Sequence, residues 1–201
     1  DDLEPFLDSL DDTWAGLSLT MPLKRTIQPY GEPSNLWARE LGVANTVVFD
    51  GTGHNHALKL FNTDVYGIAR AFEEAENRQT QTGAAAHAHR TAVILGNGNT
   101  ATSALAACAM MGDVADVVVA ARHPDRNPGL AACGERHGMS VRLVPLADCI
   151  PDLAAADVAV NTIPAHGADV VAQALLDAGV DVHGMLLDVV YDPRPTALMR
   201  A

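Results

Sequence analysis

From residue 92 onward, short runs of β-branched and apolar residues recur along the chain, each parted from the next by a stretch of helical composition. No other feature constrains the fold as strongly. The runs are Ala92–Leu95, Asp116–Ala121, Val141–Val144, Asp157–Asn161 and Met185–Tyr191. Between them lie Asn99–Met111, rich in Ala, Leu and Met and closed by Gly112, then Gly129–His137, closed by Gly138, and a helix near Ala168–Ala178. Parallel strands cannot be joined by a tight hairpin; they need a crossover, which a helix supplies. Strands spaced in this way predict right-handed βαβ units and a doubly wound parallel sheet, the Rossmann-type α/β class. Composition agrees. Of 201 residues 48% are apolar but only 4% aromatic, which suits a helix-covered parallel sheet better than a β-sandwich.

Upstream the pattern is less regular. A short amphipathic helix is expected over Leu3–Leu10, a strand over Gly16–Leu19, a helix over Leu36–Leu41, a strand over Asn45–Phe49 and a helix over Val65–Glu76. Residues 77–91 (NRQTQTGAAAHAHRT) are polar and small, without apolar periodicity, and read as a linker. The expected organisation is a smaller α/β domain over 1–80 followed by the doubly wound domain over 81–201.

Thirteen Lys and Arg against twenty-five Asp and Glu give a formal charge of −12. That balance argues against a nucleic-acid binder, which needs clustered cations, and against a polybasic membrane-surface protein. The longest apolar run, Ala104–Met111, is far short of a membrane span, and the acidic start lacks the apolar centre of a signal peptide. A soluble, cytoplasmic protein is expected. Cys108, Cys133 and Cys149 have no CxxC spacing, so neither a disulfide framework nor a cysteine zinc site is expected, and the thiols read as core or passive residues. His54/His56 and His87/His89 lie in Gly- or Ala-rich stretches without a ligand set and read as solvated, so no metal is expected.

The strand Ala92–Leu95 runs into Gly96-Asn97-Gly98-Asn99-Thr100-Ala101, and a helix follows. In that context a GxGxxA loop is a dinucleotide phosphate site. The first glycine allows the tight turn, the second lets backbone N–H groups approach a pyrophosphate, and the helix N-terminus faces its charge. Ala101 stands where a third glycine is usual and still permits close helix–strand packing. The next strand ends Ala121-Arg122-His123-Pro124-Asp125-Arg126. Where an NAD site usually places a carboxylate at the strand tip, this chain has Arg122, with Arg126 close by. A guanidinium binds a 2′-phosphate bidentately, so the reading is NADP(H) rather than NAD(H); two solvated loop arginines are the plainer alternative.

Three segments of the first half carry chemistry: Ser18-Leu19-Thr20-Met21-Pro22-Leu23-Lys24, Ala44-Asn45-Thr46-Val47 and Phe61-Asn62-Thr63-Asp64. They collect a lysine, a carboxylate, amides and hydroxyls on turns beside strands. A lysine near a carboxylate can shuttle a proton, and amides and hydroxyls can hold a polyol. Taken singly, Lys24 is an ordinary solvated cation and Asn62-Thr63-Asp64 an ordinary helix cap. Their co-occurrence ahead of an NADP-type domain favours the functional reading.

Taken together, these segments resemble the shikimate dehydrogenase family, which interconverts 3-dehydroshikimate and shikimate in chorismate and aromatic amino-acid biosynthesis. Ser18–Lys24 resembles its N/S-x-T-x-P-x-K segment, Ala44–Thr46 its A-N-T segment and Phe61–Asp64 its x-N-T-D segment. Gly96–Ala101 and Ala121–Arg126 resemble its nucleotide loop and basic turn. Asp157–Pro164 and Asp188–Thr196 resemble two later signatures, and all occur in family order. The resemblance implies a substrate-binding domain over 1–80 and an NADP-binding Rossmann domain over 81–201. It implies Lys24 and Asp64 as the catalytic pair. Ser18, Thr20, Lys24, Asn45, Asp64 and Tyr191 would contact substrate. Gly96, Asn97, Gly98, Asn99, Thr100, Ala121, Arg122, His123, Arg126 and Val189 would contact NADP(H), with Val189 against the nicotinamide. Ser18 replaces the commoner Asn, and Ala121 and His123 replace an Asn and a Thr around Arg122. The family's Ser-x-Ser segment before this region, and its later Gly-rich turn and Gln-bearing helix, have no counterpart in the 201 residues, which implies an incomplete enzyme. The implied partner is a small-molecule substrate and the implied assembly a monomer or homodimer. A quinate/shikimate dehydrogenase using NAD, and a non-catalytic NADP-binding relative or fragment, are the alternatives.

Overall fold

The computed structural model describes residues 2–50, 57–80 and 89–201 and divides into two compact units, Asp1–Val65 and Tyr66–Ala201. His54, His56, His87 and residues 81–88 of the expected linker lie outside the described residues.

The first unit opens with α1 (Leu3–Asp8), followed by β1 (Gly16–Ser18), a one-turn α2 (Leu23–Thr26), a two-residue β2 (Glu32–Pro33), α3 (Leu36–Leu41), β3 (Thr46–Asp50) and β4 (Ala57–Phe61). The four strands form one sheet in the order β1-β3-β4-β2. β1 and β4 run antiparallel to β3, and β2 runs parallel to β4. Strand alternation sends Val47 and Leu60 into a core with Leu3, Leu19, Ile27 and Ala44. The sequence reading anticipated α1, β1, α3 and β3 to within two residues at each end. It missed α2, β2 and β4. β2 has only two residues, α2 is a single turn carrying no apolar period, and Lys59 interrupts the apolar run of β4, so none of the three gives a clear periodic signal.

The second unit holds nearly all of α4 (Asp64–Thr80), then β5 (Arg90–Leu95), α5 (Asn99–Met111), β6 (Val114–Ala121), α6 (Gly129–Arg136), β7 (Ser140–Pro145), α7 (Ile150–Ala155), β8 (Val158–Asn161), α8 (Asp169–Ala178) and β9 (Met185–Asp188). All five strands are parallel, in the order β7-β6-β5-β8-β9. The chain winds outward from β5 to β7, returns to lay β8 against the other side of β5, and continues outward to β9. The winding therefore reverses between β5 and β8, where such sheets bind ligands at the strand C-termini. This is the expected doubly wound parallel sheet.

Helix α5 is buried along Ala101–Cys108 and ends at Gly112 in the left-handed conformation, φ 82°. Small residues all round let it lie close on the sheet. On one side of the sheet Val93, Leu95 and Val144 pack with Leu153 of α7, Val171 and Leu175 of α8 and Leu198 near the end of the chain. Two expectations need correction at the seam. Residues 77–80 belong to α4 rather than to a linker, and β5 begins at Arg90 rather than Ala92. Arg90 is buried and pairs with Glu76 of α4 and with Asp113 at 2.6 Å, which fixes the strand start two residues early. A polar helix end and a charged strand start leave no apolar period to read.

Candidate active site

The polar segments of the first unit meet through the backbone of the sheet. The Leu19 N–H donates to the Asn45 carbonyl at 2.7 Å, the Ala44 N–H to the Lys24 carbonyl at 2.9 Å and the Asn45 N–H to the Phe61 carbonyl at 3.0 Å. β1 therefore ends beside Asn45, the α2 turn lies against Ala44, and β4 delivers Asn62-Thr63-Asp64 to the same place.

Lys24 Nζ donates to Asp64 Oδ2 at 2.7 Å, with the two side chains only 12% and 21% exposed. Asn45 Nδ2 donates to the other oxygen, Asp64 Oδ1, at 2.7 Å. The Asn45 amide is itself fixed, because its Oδ1 accepts from the Thr63 N–H at 2.9 Å. Thus a lysine, a carboxylate, an amide and the Thr63 hydroxyl form one hydrogen-bonded cluster. Sequence separations of 40 and 19 residues between partners are closed by strand pairing alone. Ser18, on β1 opposite Thr46, and Thr20, two residues past the strand, are both exposed beside this cluster in the chain path. The cap at the start of α4 is made by Asn62, whose Oδ1 accepts from the Val65 N–H at 3.3 Å, so Asp64 is not used as the cap.

Two asparagines support this cluster: Asn62, read from the sequence as part of a helix cap, and Asn35, which was not singled out. Asn62 is fully buried; its Nδ2 donates to the Val43 carbonyl at 3.1 Å. Asn35 accepts from the Asn62 N–H at 3.1 Å, donates to the Asn62 carbonyl at 2.9 Å and caps α3 through the Ala38 N–H. They hold the residues on either side of Thr63 and Asp64. The only signal in the sequence is that Asn35 precedes a helix, which marks a cap and nothing more.

In the second unit the loop after β5 has a tight turn and leaves the start of α5 open. Gly96 has φ 103°, and a Cβ there would lie 2.5 Å from Thr162 Oγ1, so only glycine fits. Gly98 precedes α5, and nothing lies within 4 Å of where its Cβ would be, leaving open space over the first turn of the helix. Ala101 is fully buried against the sheet, as the third position of the loop requires. Asn99 and Thr100 form the first turn of α5. Ala121 is buried at the end of β6, and Arg122, His123 and Arg126 follow, all exposed. Among the described residues neither arginine is in an ion pair.

The ends of β8 and β9 meet at buried Asn161 and Asp188, another pair the sequence reading passed over as a site. Asn161 Nδ2 donates to Asp188 Oδ1 at 3.0 Å, and the same oxygen accepts from the Val190 N–H at 3.0 Å. Asp188 Oδ2 accepts from Thr196 Oγ1 at 2.7 Å, while Arg194 donates to the Asp188 and Val190 carbonyls. This knot fixes Val189 and Tyr191 as they leave the sheet; Tyr191 is 87% exposed. Burial pushes the thiols of Cys108 and Cys149 up to about 12 and about 11, which leaves them unsuited to nucleophilic chemistry. His89 is exposed, and among the described residues no group of metal-ligating side chains comes together. No helix among them is long and apolar enough to cross a membrane.

No family model matches the chain. Individual proteins do. The chain is 32% identical over 186 residues to a shikimate dehydrogenase (NADP(+)) of Oleidesulfovibrio alaskensis, covering 90% of this chain and 59% of that protein. It is 32% identical over 208 residues to a quinate/shikimate dehydrogenase (NAD(+)) of Corynebacterium efficiens, covering 98% of this chain and 66% of the relative. Its fold superposes on the crystal structure of Mycobacterium tuberculosis shikimate dehydrogenase with a TM-score of 0.75 at 33% identity, over 98% of this chain and 67% of that one. The chain belongs to the shikimate dehydrogenase family. It spans about three fifths to two thirds of the length of the family members it matches. The Lys24 and Asp64 segments lie in the first unit and the glycine loop and basic turn in the second.

Proposed function

We propose that the protein is an NADP-dependent oxidoreductase of the shikimate dehydrogenase type, transferring hydride between NADPH and 3-dehydroshikimate to give shikimate. The observation that carries this reading is the Lys24–Asp64 ion pair at 2.7 Å, held by Asn45 within a partly buried hydrogen-bonded cluster. Oxidation of a secondary ring alcohol removes a hydride from carbon and a proton from oxygen. NADP(H), when bound, supplies the hydride acceptor or donor. In reduction the Lys24 ammonium gives a proton to the carbonyl oxygen as hydride reaches the carbon; in oxidation Lys24 acts as the neutral amine, having first lost a proton to solvent, and takes the hydroxyl proton. Asp64 orients the ammonium through one oxygen, while Asn45 pins the other, so the pair holds one geometry before substrate arrives. Thr20, Asn45 and Asp64 hold ring hydroxyls, Ser18 lies at the edge of this set, and Tyr191 contacts the substrate.

The second unit's residues fit the dinucleotide. Gly96, Asn97, Gly98, Asn99 and Thr100 hold the pyrophosphate with backbone N–H groups at the start of α5. Arg122 and Arg126 take the 2′-phosphate, with Ala121 and His123 shaping the turn, and Val189 lies against the nicotinamide. The names of the relatives divide between NADP(+) and NAD(+) at equal identity; two exposed guanidiniums at the tip of β6, with no carboxylate at position 122, favour NADP(H). The test is shikimate-dependent reduction of NADP+, followed by nicotinamide absorbance, with quinate and NAD+ as competitors. Turnover with shikimate and NADP+ is expected. Turnover confined to quinate or to NAD+ would overturn the substrate or the cofactor assignment.

A further inference from the structure

The turn that carries Arg122 and Arg126 is tied to the glycine loop through a single residue. Asn97 Nδ2 donates to the His123 carbonyl at 2.7 Å, and the Asn97 carbonyl accepts from Asn127 Nδ2 at 3.0 Å. These two bonds bracket residues 123–127. Inside the bracket the backbone makes only short-range closures, Arg126 N–H to the His123 carbonyl at 3.2 Å and Leu130 N–H to the Asn127 carbonyl at 3.3 Å. Among the described residues, no other side chain hydrogen-bonds to this turn. Both arginines are exposed, so their own packing does not fix where the turn lies.

We propose that Asn127, acting through Asn97, is a specificity-determining positioning residue: a neutral amide strap that holds the basic turn at the distance from the glycine loop at which its guanidiniums meet a 2′-phosphate. The proposal rests on the NADP(H) reading above. The pyrophosphate and the adenosine 2′-phosphate belong to one rigid half of the ligand, so the loop that grips the first and the turn that grips the second must keep a fixed spacing. A flexible turn loses binding through the ordering it must undergo. The strap carries no charge. Removing it leaves the electrostatic attraction of the arginines in place and takes away only their placement. A cofactor without the 2′-phosphate does not use the turn and does not depend on the strap.

The experiment is fluorescence titration of Asn127→Ala and Asn127→Gln with NADPH and NADH beside the wild-type protein. Loss of one hydrogen bond of this kind predicts about five- to tenfold weaker NADPH binding in the alanine variant, with NADH changed by less than about twofold. Glutamine keeps an amide donor and is expected to recover most of the NADPH affinity. Equal weakening of both cofactors would show a general loss of the loop and overturn the strap, as would unchanged NADPH binding or a glutamine variant no better than alanine. NADH binding by the same variant reports that the loop is still folded. A wild-type protein that binds NADPH no better than NADH would overturn the NADP(H) reading itself and the strap with it. That outcome is read before any variant is made.

Discussion

The two units prepare their sites in opposite ways. In the first, the chemically active side chains are already bonded to one another: Lys24 to Asp64, Asp64 to Asn45, Asn45 to Thr63, with Asn35 and Asn62 behind them. In the second, the backbone is shaped, with Gly96 in the left-handed region and open space beside Gly98, while Arg122 and Arg126 are exposed and unpaired among the described residues. Under the proposed function, the contrast follows from what each would do. A proton must move along a fixed path, so its donor and acceptor are locked in place before the reaction. A phosphate brings its own charge, and backbone N–H groups with exposed cations need only be ready for it.

The largest expected effect breaks the first site and leaves the second alone. Lys24→Ala should lower turnover by about a thousandfold, within the usual range for losing a positioned proton donor. Asp64 remains held by Asn45, so NADPH affinity from fluorescence titration should stay within about twofold. Turnover near the wild-type value would remove Lys24 from the proton path. Next is Arg122→Ala, expected to weaken NADPH about ten- to a hundredfold, as for a lost charge-assisted bond, and NADH hardly at all. Equal losses would mean that the guanidinium does not read the 2′-phosphate.

Gly98→Ala sharpens the contrast differently. With φ −85° and no atom within 4 Å of the new Cβ, the fold accepts alanine and the thermal midpoint should not move. The methyl group enters the space over α5, so NADPH and NADH should both weaken, by about tenfold. Unaltered binding would show that the phosphates lie elsewhere.

The smallest effect concerns the buried face of α5. Burial raises the Cys108 thiol from an ordinary 9.0 to about 12. The folded thiol therefore stays protonated where the unfolded one ionises. Its contribution to stability is complete below about pH 9 and is lost as the pH climbs toward 12. Urea unfolding across that range should show stability falling on the alkaline side, and Cys108→Ala should flatten the fall. An unchanged alkaline slope in that variant would assign it to other groups.

Much of the second unit was legible because parallel strands buried on both faces need continuous apolar runs, and crossover helices need length. Both leave long signals, and Asn99–Met111 was placed to the residue. The glycine loop was legible because φ near 100° and a close approach from Thr162 admit one residue type. The first unit was harder. β2 has two residues and Lys59 interrupts the apolar run of β4; in the second unit the seam was hidden, where α4 continues through the polar residues 77–80 and Arg90 starts a strand with a charge.

The sequence by itself determined the classes of chemistry present: a lysine, a carboxylate, amides, a phosphate loop and two arginines at a strand tip. Only the tertiary structure decided which of them meet. Lys24 and Asp64 stand 40 positions apart and touch because β1 and β4 flank β3 in one sheet. Asn35, Asn127 and Asp188 were not named in the sequence as residues of a site, and Asn62 only within a segment and a cap, since one polar side chain carries no periodicity. Their roles come from partners far along the chain, and a hydrogen bond depends on position in space rather than on order in sequence.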